Sequence, residues 1–183
     1  MSIIENKTVI FTDVKDGDTF EVAGIEFIKF HSKDGMTPVI AKDILFSSSF
    51  GEDNDFRKSK ILKTLEAEYL PQIAEAIGAE NLCTIKTDLT TLDGMKNYGV
   101  LESMVSLPTL DFYRANAEIF DKYNPGRWWW LATADSAKPR YDPLWVLCVA
   151  PSGCVGSGYY YDVSRGVRPF YIFKSSIFGS SEE

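Results

Sequence analysis

RWWWLATADSAKPRYDPLWVLCVAPSGCVGSGYYYDVSRGVRPFYIF, residues 127–173, is the stretch whose reading decides how this chain folds. It opens on Trp128-Trp129-Trp130. It continues through an apolar run in which Trp145, Leu147 and Val149 alternate with Val146 and Cys148, and closes on RGVRPFYIF. Each of these reads as a strand. Successive side chains of a strand point to opposite faces, so the tryptophan run predicts one or two rings in the core and at least one toward a surface or a second layer. After the turn at Pro151-Ser152-Gly153 comes CVGSGYYYDVS, where Tyr159, Tyr160 and Tyr161 stand beside Gly and Ser rather than aliphatic residues. Three such rings are hard to bury together. Tyr with Ser, Gly and Asp is the composition of binding loops, in which rigid amphipathic rings give contact area at low entropic cost. The alternative is a twisted edge strand with surface tyrosines.

Outward from that stretch, the first forty-odd residues alternate and turn. They predict short antiparallel strands at Thr8–Phe11, Thr19–Val22, Ile25–Phe30 and Val39–Ala41, with a tight turn at Ala23-Gly24. From Asp53 to Gly78 the period becomes helical through Ile61, Leu62, Leu65 and Tyr69. Pro71 breaks or restarts this helix, and Gly78 suits its C-cap. Leu82–Thr87 reads as a strand. A second helix starts from Ser106 or Thr109 and carries Leu110, Tyr113, Ala117 and Phe120, before turn chemistry at Asn124-Pro125-Gly126. Strands at both ends, two helices between them and a loop-rich C-terminal third give an α+β fold in one domain, residues 1–183.

Charge and composition narrow the function. The net charge of −7 and the lack of a basic stripe argue against nucleic acid or anionic lipid as partner. Arg57-Lys58-Ser59-Lys60 with Lys63 reads as a solvated face. No apolar run reaches membrane-spanning length, and MSIIENKTVIF lacks the basic and apolar regions of a secretory leader. The three cysteines, Cys83, Cys148 and Cys154, show no metal-ligand or disulfide spacing; Cys148 reads as core, and Cys154 falls in a Gly/Ser-rich turn.

Catalytic signatures are lacking. The one histidine, His31, has no partner motif, and DVKDGD (Asp13, Asp16, Asp18) reads as a hydrophilic turn because it lacks EF-hand spacing. No nucleophile elbow, phosphate loop or zinc helix motif occurs. The residues themselves call for no enzyme activity, no metal and no cofactor.

Residues 127–173 resemble the end of C-type-lectin-like domains of the formylglycine-generating-enzyme type, through Trp129-Trp130-Leu131 and Gly166-Val167-Arg168-Pro169. Within that superfamily the chain looks most similar to the variable proteins of diversity-generating retroelements, such as phage tropism determinants and bacterial surface variable proteins. In these, error-prone reverse transcription at template adenines scatters selected codons while the scaffold stays fixed. The resemblance implies a C-type-lectin-like fold and a variable surface of Tyr141, Asp142, Leu144, Cys154, Gly156, Ser157, Gly158, Tyr159, Tyr161, Asp162 and Ser164. Every residue type in that set is reachable from an Asn codon by changes at adenines. Interleaved positions, among them Pro143, Trp145, Val146, Val149, Val155, Val163 and Arg165, would be scaffold, together with Trp129, Trp130, Gly166 and Arg168. The implied function is recognition of a protein or cell-surface receptor, from a phage virion or from the cytoplasm before assembly or export, with homo-oligomers adding avidity. The alternatives are a fixed structural or adhesion module of the same fold, or an oxidase acting through Cys148 and Cys154.

Overall fold

A computed structural model describes residues 10–179. The early alternation builds a hairpin: β1 (Thr19–Val22) and β2 (Ile25–Lys29) join through Ala23 and Gly24. Their φ values of 52° and 77° are the left-handed pair that a two-residue hairpin turn requires. β3 (Met36–Ala41) and the two-residue β4 (Phe46–Ser47) follow. The Ser59 hydroxyl accepts from the Leu62 N–H at 3.0 Å and so starts α1 (Lys60–Thr64). Pro71 brings no N–H to the helix, yet the chain does not break there. It passes through a π-turn, Leu65–Tyr69, in which the Leu70 N–H reaches back to the Leu65 carbonyl, and continues as α2 (Leu70–Ile77), ended by Gly78 at φ 88°.

The remaining elements are β5 (Ile85–Asp88), β6 (Val100–Ser103), α3 (Leu110–Ala115), α4 (Ala117–Lys122), β7 (Trp129–Ala134), β8 (Trp145–Val149), β9 (Val155–Tyr159), β10 (Gly166–Val167) and β11 (Phe170–Lys174). They form a four-stranded sheet in the order β1-β2-β3-β11, a five-stranded sheet in the order β4-β10-β7-β8-β9, and the hairpin β5-β6. The fold is α+β.

Several expectations need correction. Most of the strand expected at Thr8–Phe11 lies outside the described residues. Ile10 and Phe11 are in no strand, although the Phe11 N–H bonds the Ile177 carbonyl at 2.7 Å. The second helix is two short ones, capped by the Thr109 hydroxyl and interrupted at Asn116, whose φ of −124° is not helical. RGVRPFYIF is not one strand: Pro169 has no N–H for a ladder, and the chain changes sheets there, from β10 to β11.

The five-stranded sheet separates two apolar layers. Trp130, Val146 and Cys148 face Phe50, Phe56 and Ile61, whereas Trp129, Leu147 and Val149 face Tyr113 and Phe120 of α3 and α4. The tryptophan run thus obeys strand parity: Trp129 and Trp130 are buried on opposite faces, and Trp128 is 37 % exposed. Burying rings of roughly 150–250 Å² at about 25 cal/mol per Å² contributes at most about 4–6 kcal/mol each.

Arg168 and Gly166 tie the sheets together. Arg168 is fully buried, with Nε donating to the Ala41 carbonyl at 3.0 Å and Nη2 to the Lys42 carbonyl at 2.8 Å. Its guanidinium lies 4.6 Å from the Trp129 ring centre. Burial pulls its pKa down to about 10. Gly166 is buried between β4 and β7, and a Cβ there would fall 2.5 Å from Ile44 Cδ1.

Candidate functional site

The Tyr-rich segment begins in β9, the edge strand of the five-stranded sheet, and continues through Tyr160 and Tyr161 into the turn after it. Its register on β8 pairs Trp145 with Tyr159, Leu147 with Ser157 and Val149 with Val155. Trp145 and Tyr159 stack at 3.8 Å between ring centres, and Tyr159 stacks on Tyr161 at 5.1 Å with the rings 8° from parallel. A row Trp145–Tyr159–Tyr161 results. Tyr159 is 39 % and Tyr161 56 % exposed, while Tyr160 turns inward and packs against the core. Side-chain parity places Tyr160 opposite its neighbours.

Backbone bonds hold the row. Tyr160 donates its N–H to the Leu144 carbonyl at 3.0 Å, and its carbonyl accepts from the Phe50 N–H at 2.7 Å. The turn after Tyr159 closes through the Asp162 N–H on the Tyr159 carbonyl at 2.9 Å. Asp162 Oδ1 accepts from the Ser164 N–H and hydroxyl at 2.8 and 2.6 Å, which holds its carboxyl below the usual range. Beneath, Asn54 is fully buried and donates to the carbonyls of Ser136 and Trp145, while its Oδ1 accepts from the Tyr98 hydroxyl at 2.5 Å. This network clamps the start of β8 to the segment ahead of α1.

Not all residues expected at the surface are there. Tyr141, Asp142, Cys154, Ser157, Tyr159, Tyr161 and Ser164 are exposed, and Leu144 and Asp162 are half-buried. Gly158 is buried and Gly156 half-buried: an added Cβ would fall 2.6 Å from Arg165 Nε at Gly158 and 2.9 Å from the Trp128 ring at Gly156. Both glycines lie under a stack of Arg165 on Trp128, 4.4 Å from guanidinium carbon to ring centre. Of the positions read as scaffold, Val155 (41 % exposed) and Val163 (71 %) stand at the surface, and Trp145 is half-buried in the aromatic row rather than in the core. Strand parity alone would set Trp145 beside Leu147 and Val149. Its partner across the ladder is Tyr159 of the edge strand, and the stack of the two rings draws Trp145 into the aromatic row.

Beside the row, Lys138, Pro139, Arg140, Tyr141, Asp142 and Leu144 line a groove of about 480 Å³. A groove of about 560 Å³ lies elsewhere, lined by Ser49, Gly51, Glu52 and Asp53 with Lys58, Lys60 and Lys63; its charges are mixed, and Lys58 Nζ pairs with Asp53 at 2.8 Å. Asp16 takes Lys29 Nζ at 2.6 Å and His31 Nδ1 at 3.0 Å, so DVKDGD forms a turn with an ion-pair cluster. Among the described residues, no three or more His, Cys, Asp or Glu side chains gather as a metal-binding group. Cys148 is buried, and burial pushes its thiol up to about 12, while Cys154 is exposed; both are free. At neutral pH the Cys148 thiol is protonated and a poor nucleophile.

No protein-family model matches this chain, and no curated protein and no solved structure matches it. No helix among the described residues is long and apolar enough to cross a membrane.

Proposed function

We propose that this protein is a non-enzymatic recognition module of C-type-lectin-like type, whose exposed residues between Tyr141 and Ser164 are diversified by a retroelement and bind a protein or cell-surface receptor, in a phage-encoded setting. One observation carries the reading: the stacked row runs from half-buried Trp145 to exposed Tyr159 and Tyr161, yet it is seated by backbone hydrogen bonds on a buried scaffold. Ordered aromatic rings lose little entropy on binding, and they are the residues that dominate recognition surfaces. The polar and small neighbours Ser157, Asp162, Ser164 and Asp142 supply adaptable hydrogen bonding around the rings. Replacing exposed side chains leaves the core untouched, which is what a diversified surface needs.

One feature favours a partly fixed module. Gly156 and Gly158 are held small by Trp128 and Arg165, so the face open to change is narrower than the segment. The test is a library of the full chain randomised at Tyr141, Asp142, Leu144, Ser157, Tyr159, Tyr161 and Ser164, selected against a purified globular protein such as lysozyme. The expected outcome is binders that unfold at nearly the parent temperature. A library that yields only unfolded chains, or no binder, contradicts the reading.

A further inference from the structure

The hydrogen-bond pattern of β9 says more about the partner. Two bonds bracket the β8–β9 ladder: the Ala150 N–H on the Cys154 carbonyl at 2.8 Å, and the Tyr160 N–H on the Leu144 carbonyl at 3.0 Å. In an antiparallel pair, residues alternate between exchanging hydrogen bonds with their partner and directing those groups away from it. With the register fixed by Trp145 opposite Tyr159, the bonded pairs are Cys148 with Gly156 and Val146 with Gly158. Val155, Ser157 and Tyr159 therefore turn their N–H and C=O groups toward the open side of the sheet. The 3.8 Å stack of Trp145 on Tyr159 agrees, because non-bonded pairs bring their side chains closer.

Along that open side the Tyr159 carbonyl takes the Asp162 N–H, but the groups of Val155 and Ser157 and the Tyr159 N–H meet no partner among the described residues. Val155–Tyr159 has no lysine and no proline, and no strand pairs with its outer side. Its side chains on the exposed face, Val155, Ser157 and Tyr159, lead directly into the Tyr161 ring.

We propose that an extended segment of the protein partner adds to this edge as a sixth strand, hydrogen-bonding to Val155 and Ser157 while its side chains pack on the Tyr159–Tyr161 row. This rests on the recognition function proposed above and makes its ligand an extended polypeptide rather than a sugar or a small molecule. Charge points to a foreign chain rather than a second copy. Each copy carries −7, which opposes self-pairing and favours a segment with Lys or Arg; Asp162, at the end of the edge, is already paired with Arg165 at 3.5 Å and adds nothing to this preference. Main-chain bonds would give affinity that survives changes in the surface side chains, leaving those side chains to select the sequence.

The probe is a displayed library of short random peptides selected on the full chain. The selected peptides are expected to be extended, to be enriched in Lys or Arg, and to lose about tenfold in affinity against Ser157→Pro while keeping it against Ser157→Ala. Proline removes the outward donor without costing a bond to β8, since Ser157 gives none there; because its ring also fixes φ, circular dichroism checks that the sheet persists. N-methylation of alternate peptide amides leaves the protein unaltered and is expected to cause a similar loss. Binding that falls with Tyr161→Ala but is indifferent to Ser157→Pro and to N-methylation would keep the recognition face and overturn strand addition. Loss with neither substitution would overturn both, as would failure to select any peptide against the strand proposal. Self-association of the chain that Ser157→Pro abolishes would make a second copy the occupant and overturn the proposed foreign segment.

Discussion

Three small or polar residues show how closely this scaffold is specified. Gly166→Ala forces a methyl group against Ile44 in a buried site between two strands, and we predict a loss of about 1–3 kcal/mol, measured by urea unfolding. Gly158→Ala meets the outer end of a long side chain instead. Arg165 can swing away, so the loss is expected to be about 0.5–1 kcal/mol, the value of its stack on Trp128. Arg168→Lys keeps a charge but lacks the planar fork that reaches two carbonyls, and should cost about 1.5–3 kcal/mol. A half-buried phenol and a buried thiol make stability pH-dependent at the alkaline end. Burial raises Tyr98 from 10 to about 12 and Cys148 from 9 to about 12. The folded chain holds these protons where the unfolded chain releases them, so their contribution is complete below pH 9 and is lost as pH rises through about 12. The unfolding temperature should fall across that window, and Cys148→Ala should flatten the start of the fall.

At the scale of elements, β7, β8 and β9 divide the work between scaffold and face. Trp130→Ala opens a cavity in the layer shared with Phe50 and should cost about 3–5 kcal/mol, whereas Tyr161→Ala should change stability by less than about 0.5 kcal/mol. Differential scanning calorimetry of the two variants checks the contrast. Much of this division was legible in the residues. The parity of Trp128-Trp129-Trp130 calls for one or two rings inside and at least one toward a surface or second layer, and two are buried; the alternation from Trp145 to Val149 calls for a buried strand, which β8 is apart from the half-buried Trp145. The hairpin at Ala23-Gly24 followed from turn chemistry. What resisted reading depended on non-local pairing. Val155 and Val163 look like scaffold by type, but the edge position of β9 and the turn after it leave them uncovered. Gly156 and Gly158 look free, and only the Trp128 ring over the first and the chain's return at Arg165 over the second explain why they are small. The break at Pro169 needed two sheets to be seen, since a proline at a strand boundary and one between sheets look alike in sequence.

Across the molecule, the connection from β10 to β11 returns the end of the chain to the sheet that its start began. β11 pairs with β3 over five residues, from Phe170 opposite Ile40 to Lys174 opposite Met36. Everything between Trp129 and Gly166 is thereby held at its base by β10, Arg168 and the paired strands, while β9 and the turns beside it face outward. Such an arrangement suits a surface whose residues change without disturbing the fold. The most direct test is to sequence the 3′ region of this gene across many members of its source population and count replacements codon by codon. The account predicts changes concentrated at Tyr141, Asp142, Leu144, Cys154, Ser157, Tyr159, Tyr161, Asp162 and Ser164, mainly at template adenines, with few at Gly156 and Gly158 and none at Trp129, Trp130, Gly166 or Arg168. Replacements spread evenly along the region, or absent from the exposed row, would contradict it.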